Sequence, residues 1–221
     1  MLAISAGAWY FLLSPHGTAR CACGLSGAGF DWRSGRAWTY ALGEWFVMAL
    51  AMMLPLMVMP ARAAAFGSLW RRRHCAVGVF LVAYLAVWTA AGAATLALVE
   101  FLRCAHVPQH GWVAGAGFLA TAAYYLTPLK RRLAVACHRT RPLAPVGWPA
   151  HRDCLLFGLD HGVPCVQNCW LLMFVAMLSP WGAAMMIVAT LLLLYERYRA
   201  RPRNRLAPLL LCVLAAVHFA F

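Results

Sequence analysis

The sequence predicts an all-α fold, a polytopic transmembrane helical bundle of about seven spans, and three observations predict it. Hydrophobic residues make up 64% of the 221 positions and charged residues 11%, against about 45–50% and about 25% in soluble domains. Apolar runs of crossing length recur along the whole chain, and the basic residues sit in short clusters between them. A soluble domain of this size lacks the interior volume to hide so much apolar surface, whereas lipid removes that burden. At about 20 residues per crossing, the runs leave no room for a separate soluble domain, so residues 1–221 are expected to form one transmembrane unit.

The expected crossings lie at 1–13, 41–60, 75–102, 111–129, 163–178, 181–196 and 206–221. The first is short. It begins at Met1 without a basic leader region or a small-residue cleavage site, so it does not read as a cleaved signal peptide, and a truncated start fits its length. Gly158, Gly162 and Pro164 punctuate the chain ahead of the fifth run, and proline is best tolerated in a helix's first turn. That helix is therefore expected to begin near Val163, with residues 154–162 kinked or re-entrant.

Nineteen Lys and Arg against six acids give a formal charge of +13. Fifteen of the nineteen fall in residues 61–74, 130–154 and 197–205. By the positive-inside rule these three segments are cytoplasmic, with the amino terminus inside and the carboxyl terminus outside. The clusters then set topology and touch anionic headgroups rather than nucleic acid. The nine cysteines lie mostly in or beside apolar runs, unlike the loop cysteines of a secreted disulfide scaffold.

The fifth run reads His161-Gly-Val-Pro-Cys165-Val-Gln-Asn168-Cys169-Trp170-Leu-Leu-Met173, followed by Met177. Cys165, Cys169, Met173 and Met177 step by four, which stacks soft sulfur donors along one side of a helix. Two thiols one turn apart can share an ion, and Cys with Met suits copper(I); zinc would also accept Cys165, Cys169 and His161. The alternative is that Cys and Met simply fill the buried face of the helix. In the second run Glu44, Met48 and Met52 also step by four, with Met53, Met57 and Met59 close behind. An acid at such a depth is by default a functional candidate. His16, Cys21, Cys23, Cys104, His106 and His110 form a weaker set in the outer loops. Cys137, His138, His151, Asp153, Cys154 and Asp160 read as solvated residues of the inner face. No Ser/His/Asp set, intramembrane carboxylate pair or nucleotide fingerprint is present, so hydrolase, proton-pump and kinase chemistry have no foothold. The histidines do not offer facing pairs for haem.

Ala51-Met52-Met53-Leu54-Pro55, Tyr125-Leu126-Thr127-Pro128-Leu129-Lys130, the His161-Gly162 to Met173 stretch and Glu196-Arg197 together resemble a bacterial family of predicted metal-binding integral membrane proteins, domain of unknown function 2182, some members of which are named copper chaperones. Where that family has two adjacent cysteines before the tryptophan, this chain has Asn168-Cys169. The resemblance implies metal handling. The sequence reading is thus an inner-membrane protein that binds a soft transition metal, most of all copper(I), for storage, passage or delivery to a membrane or periplasmic metalloprotein. Cys165 and Cys169 lead the ligand set, with Met173, His161, Met52, Met53 and Glu44 behind them. The alternative is a metal-free scaffold of a larger membrane complex. A thiol enzyme is disfavoured because the two cysteines are not at Cys-x-x-Cys spacing.

Overall fold

The computed structural model describes residues 1–14, 35–104, 111–144, 146–179, 181–198 and 206–220, and every regular element among them is helical. In chain order these are α1 (Leu2–Leu13), α2 (Gly35–Met53), α3 (Val58–Phe66), α4 (Arg73–Cys104), α5 (Gly111–Leu126), α6 (Pro128–Ala136), α7 (Gly147–Leu178), α8 (Gly182–Tyr198) and α9 (Leu206–Ala220). Single 3₁₀ turns precede α3 (Pro55–Met57) and α4 (Trp70–Arg72). The outer-loop residues His16, Cys21, Cys23, His106 and His110 lie outside the described residues.

Against the seven expected crossings, the first of them short, helix length and composition give two or three candidate spans among the described residues. Two helices among the described residues, Trp70–Leu102 and Gly147–Leu178, are long and apolar enough to cross a bilayer alone. A third arises if α2 and α3 count together, and these are bent by 48° at Pro55. The expected straight span over 41–60 is therefore two helices, because Pro55 has no N–H to continue the first and begins a tighter turn instead. Leu2–Leu13, Trp112–Leu126 and Leu206–Phe219 are shorter apolar helices. At 1.5 Å per residue none of these three reaches the ~30 Å of a hydrocarbon core.

The centre of the molecule is the pairing of α4 with α7. Cys75 meets His151, the Phe80 and Phe157 rings lie 5.0 Å apart, and Tyr84 meets Cys165, so the two helices run parallel. Here the expected break at Gly158–Gly162 is not found: α7 is one unbroken helix with Pro164 inside it. The glycines serve close approach instead. A Cβ on Gly158 would lie 2.5 Å from the Phe80 carbonyl oxygen, and one on Gly162 would lie 3.1 Å from Val87 Cβ. The true start of α7 is Gly147, whose φ of +77° is strained for residues with a Cβ. It follows extended Val146.

The segment expected to be a solvated basic loop, residues 130–154, is in part structural. Thr127 caps α6 by accepting from the Lys130 backbone N–H, with Pro128 in the first turn. The chain then runs antiparallel to α7: Lys130 meets Asn168, Arg141 meets Asp160, and the Ala144 N–H donates to Asp153. Lys130 is correspondingly buried. Arg72 reaches the Gly147 carbonyl and Arg197 the Cys137 carbonyl. Near the opposite end His218 of α9 hydrogen-bonds Ser179 at 2.9 Å and Phe219 covers Gly115 of α5.

Candidate metal centre

One proline turn, the end of α6 and two longer helices converge on one cleft. It is lined by Leu56 and Met57 from the turn after α2, by Ala134, Cys137 and His138 from the end of α6, by Cys165, Asn168 and Cys169 of α7, and by Leu193, Glu196 and Arg197 of α8. Its free volume is about 50 Å³, the scale of one or two small ions or waters rather than an organic ligand. The 3₁₀ turn at Pro55–Met57 supplies Leu56 and Met57 to this lining.

Cys165 and Cys169 are both buried, and the Cys165 thiol lies within interaction range of the Cys169 and Cys137 thiols. The expected pair is therefore a trio. Cys137 was expected to be a solvated loop residue, and it is buried because the segment after α6 turns back along α7. The Tyr84 hydroxyl contacts Cys165 Sγ at 3.2 Å, and the Asn168 amide reaches Cys169 Sγ at 3.6 Å. Among the described residues no three His, Cys, Asp or Glu side chains are gathered closely enough to enclose an ion as they stand. Instead the Cys165 thiol meets the Tyr84 hydroxyl and the Cys169 thiol the Asn168 amide, and closing on an ion requires deprotonation and rotation about χ1.

Charge surrounds the trio. Lys130 Nζ donates to the Asn168 carbonyl at 2.9 Å, pairs with Glu196 at 3.5 Å and lies 3.9 Å from the centre of the Tyr125 ring. The Tyr125 hydroxyl donates to the same Glu196 oxygen. Arg197 Nη1 holds the Cys137 carbonyl at 2.6 Å. Burial and the nearby Arg197 guanidinium push the His138 imidazole below its ordinary range, which keeps it neutral and able to accept a cation. Two stretches picked out by resemblance, Tyr125 to Lys130 and Glu196-Arg197, thus meet beside the thiols.

The remaining candidates divide. Met57 lines the cleft, and Met52, Met53 and Met173 are buried in the core cluster that contains Cys165 and Cys169, without lining the cleft themselves. His161 sits a turn away among the rings of Phe80, Tyr84 and Phe157, 2% exposed, with no hydrogen-bond partner for either nitrogen. Glu44 is half-buried two turns before Met52, roughly 12 Å along α2, and takes no part in the cleft. Sequence reasoning missed Cys137, Met57 and His138, and Lys130 was counted only as a topology signal. The one available clue was that Lys130 and Glu196 each stand within a stretch of family resemblance.

Residues 42–220 match the sequence model of the family PpoB2, described as copper chaperone. The chain belongs to that family. No curated protein and no solved structure matches it. Copper is therefore the metal against which the cleft of this copper chaperone family member is judged. Cys137, Cys165, Cys169, Met57 and His138, all lining the cleft, are of donor types that suit copper(I) by their softness.

Proposed function

We propose that this chain is a multi-pass inner-membrane protein that carries copper as copper(I) in the Cys137–Cys165–Cys169 cleft and hands it to a metalloprotein partner. The observation that carries this reading is the meeting of three buried thiols from two chain segments in one ion-sized cleft. Deprotonated, two or three thiolates around a monovalent ion leave net negative charge, and Arg197 stands beside them to offset it, Lys130 being paired with Glu196. Met57 and Met173 serve as auxiliary sulfurs, and zinc is the competing ion that thiolate and imidazole would also accept. The Asn168 side chain holds Cys169 rather than acting as a ligand.

Membrane insertion is supported by apolar side chains on the outside of the bundle, among them Val82, Leu98, Leu155, Val163, Leu191 and Val213, which a soluble surface would not carry in this density. On this reading the short helices complete crossings as broken pairs or in a locally thinned bilayer, with the amino terminus cytoplasmic and the carboxyl terminus periplasmic. On this reading Arg72 with Gly147, and, about 27 Å further along α7, Cys137 with Arg197, stand toward the cytoplasmic side.

The test is metal content. Full-length protein purified in detergent under reducing conditions is loaded with copper(I) and, separately, zinc, and compared with Cys137→Ser, Cys165→Ser, Cys169→Ser and Cys104→Ser variants at matched monodispersity. The hydroxyl keeps the volume and removes the soft donor, so the first three variants should lose most copper at the cleft and the fourth little. Equal copper in all five proteins overturns the assignment.

A further inference from the structure

Soft donors do not end at the cleft. At the amino-terminal ends of α4 and α7, Cys75 Sγ stands 3.9 Å from His151 Nδ1. Two ligands bound to one ion at about 2.3 and 2.0 Å are separated by roughly 3.5–3.7 Å at tetrahedral or trigonal angles, so this pair needs only a small side-chain adjustment. Cys154 follows His151 by three residues, on the same face of α7, and is buried.

Access differs sharply from the cleft. Cys75 is exposed, His151 is partly exposed and Cys154 is buried. One face of α7 therefore carries, in order, His151, Cys154, His161, Cys165 and Cys169. From His151 to Cys165 the rise is about 21 Å. Between the two ends stands His161, buried with both nitrogens unpartnered. A polar ring left unsatisfied in an apolar seam costs stability, and here it occupies the only ligand-type position on the seam between the two thiol groups.

We propose that Cys75, His151 and Cys154 form a second copper(I) site, at which the ion is exchanged between the aqueous phase and the buried thiols. The inference rests on the proposed function for its cargo and adds the point of exchange. Binding displaces the Cys75 and Cys154 protons to solvent and involves no change of oxidation state. As they stand the three side chains are not gathered around one point; rotation of the two thiols about χ1 brings two thiolates and one imidazole to three-coordination without help from the cleft.

The experiment uses full-length reduced protein titrated with copper(I) against a chromophoric copper(I) chelator, together with alkylation of Cys75 read by peptide mass. Wild type should withdraw about two equivalents, and Cys75→Ser/Cys154→Ser and Cys165→Ser/Cys169→Ser about one each. Copper should slow alkylation of the exposed Cys75 by roughly ten-fold or more, in wild type and equally in Cys165→Ser/Cys169→Ser. That rate needs no variant near Cys75, so it decides the matter even if Cys154→Ser impairs folding. If Cys75 reacts at the same rate with and without copper, or if Cys75→Ser/Cys154→Ser withdraws as much as wild type, the second site is overturned. If instead Cys165→Ser/Cys169→Ser withdraws as much as wild type while Cys75 is protected, the buried-site reading fails and the second site stands.

Discussion

The two halves of α7 carry metal-ligand types of residue on the same face and do different things. From Cys154 to Gly162 the helix is pressed against α4: Phe157 stacks near Phe80, Gly158 lies under the Phe80 carbonyl, and His161 is ringed by aromatics. From Cys165 to Met173 its neighbours are Tyr84, the proline turn of Met57, the buried Lys130 and the Glu196-Arg197 end of α8. One half closes the bundle and the other half holds a cleft open. Helical periodicity places donors on a face, and only the opposing elements decide whether that face becomes packing or a site.

The cleft half is held apart by charge, so the sharpest way to break the comparison is to remove it. Lys130 is 5% and Glu196 21% exposed at the side chain. Lys130→Met leaves the Glu196 carboxylate facing a low-dielectric cleft without its partner, and also removes the bond to the Asn168 carbonyl. Taking one member from a buried pair costs about 3–5 kcal/mol. The partial exposure of Glu196 puts this case at the lower end. The unfolding midpoint in detergent, followed by tryptophan fluorescence, should fall clearly for Lys130→Met and recover in Lys130→Met/Glu196→Gln, where the amide still accepts from Tyr125. No recovery would mean that the pair does not act as an electrostatic unit.

The same contrast explains what could be read from the chain in advance. Cys165 and Cys169 were legible because a four-residue step is visible in one dimension. Cys137 was not, because its approach to Cys165 depends on α6 and the segment after it folding back antiparallel along α7, which no local pattern encodes. Lys130 looked like every other basic residue of its cluster until Glu196, 66 positions away, was placed against it. The prolines show a similar limit. Pro55 ends a helix with a 48° bend while Pro164 lies inside one, and the difference comes from α4, whose close contact at Gly158 and Gly162 holds α7 in line. The helical class and the approximate position of most elements followed from apolar runs alone. The number of helices able to cross a bilayer did not, since run length in sequence ignores where prolines divide it.

The packing half should respond to volume rather than charge. Gly158→Ala sets a methyl 2.5 Å from a backbone oxygen and 2.7 Å from Ala83 Cβ, and neither can move without separating α4 from α7. Overpacking of this kind costs about 1–3 kcal/mol. Gly162→Ala meets only the Val87 side chain, at 3.1 Å, and should cost well under half as much. Thermal unfolding of the two variants side by side checks the order. A reversed order would mean that the helices separate more easily at the ring cluster than at the cleft.

The smallest effect is expected at the boundary between the halves. His161 is surrounded by Phe80, Tyr84 and Phe157 at ring-centre distances of 6.0–6.4 Å, and both of its nitrogens lack partners. An unsatisfied buried polar group costs roughly 1–3 kcal/mol, part of which returns when an apolar group of similar shape replaces it. Phenylalanine is larger than histidine, so some of that gain is lost to crowding against Gly162 and Phe157. His161→Phe should therefore shift the unfolding midpoint slightly upward, by the equivalent of about 1 kcal/mol or less. Equilibrium copper content should remain at the wild-type value, because the thiol trio and Met57 are untouched. The rate at which copper offered from solution reaches Cys165 should fall, since the variant removes the intermediate donor of the seam. Lower equilibrium copper in His161→Phe would move His161 into the cleft half as a true ligand, and the boundary between the two regions of α7 would lie one turn earlier than the packing places it.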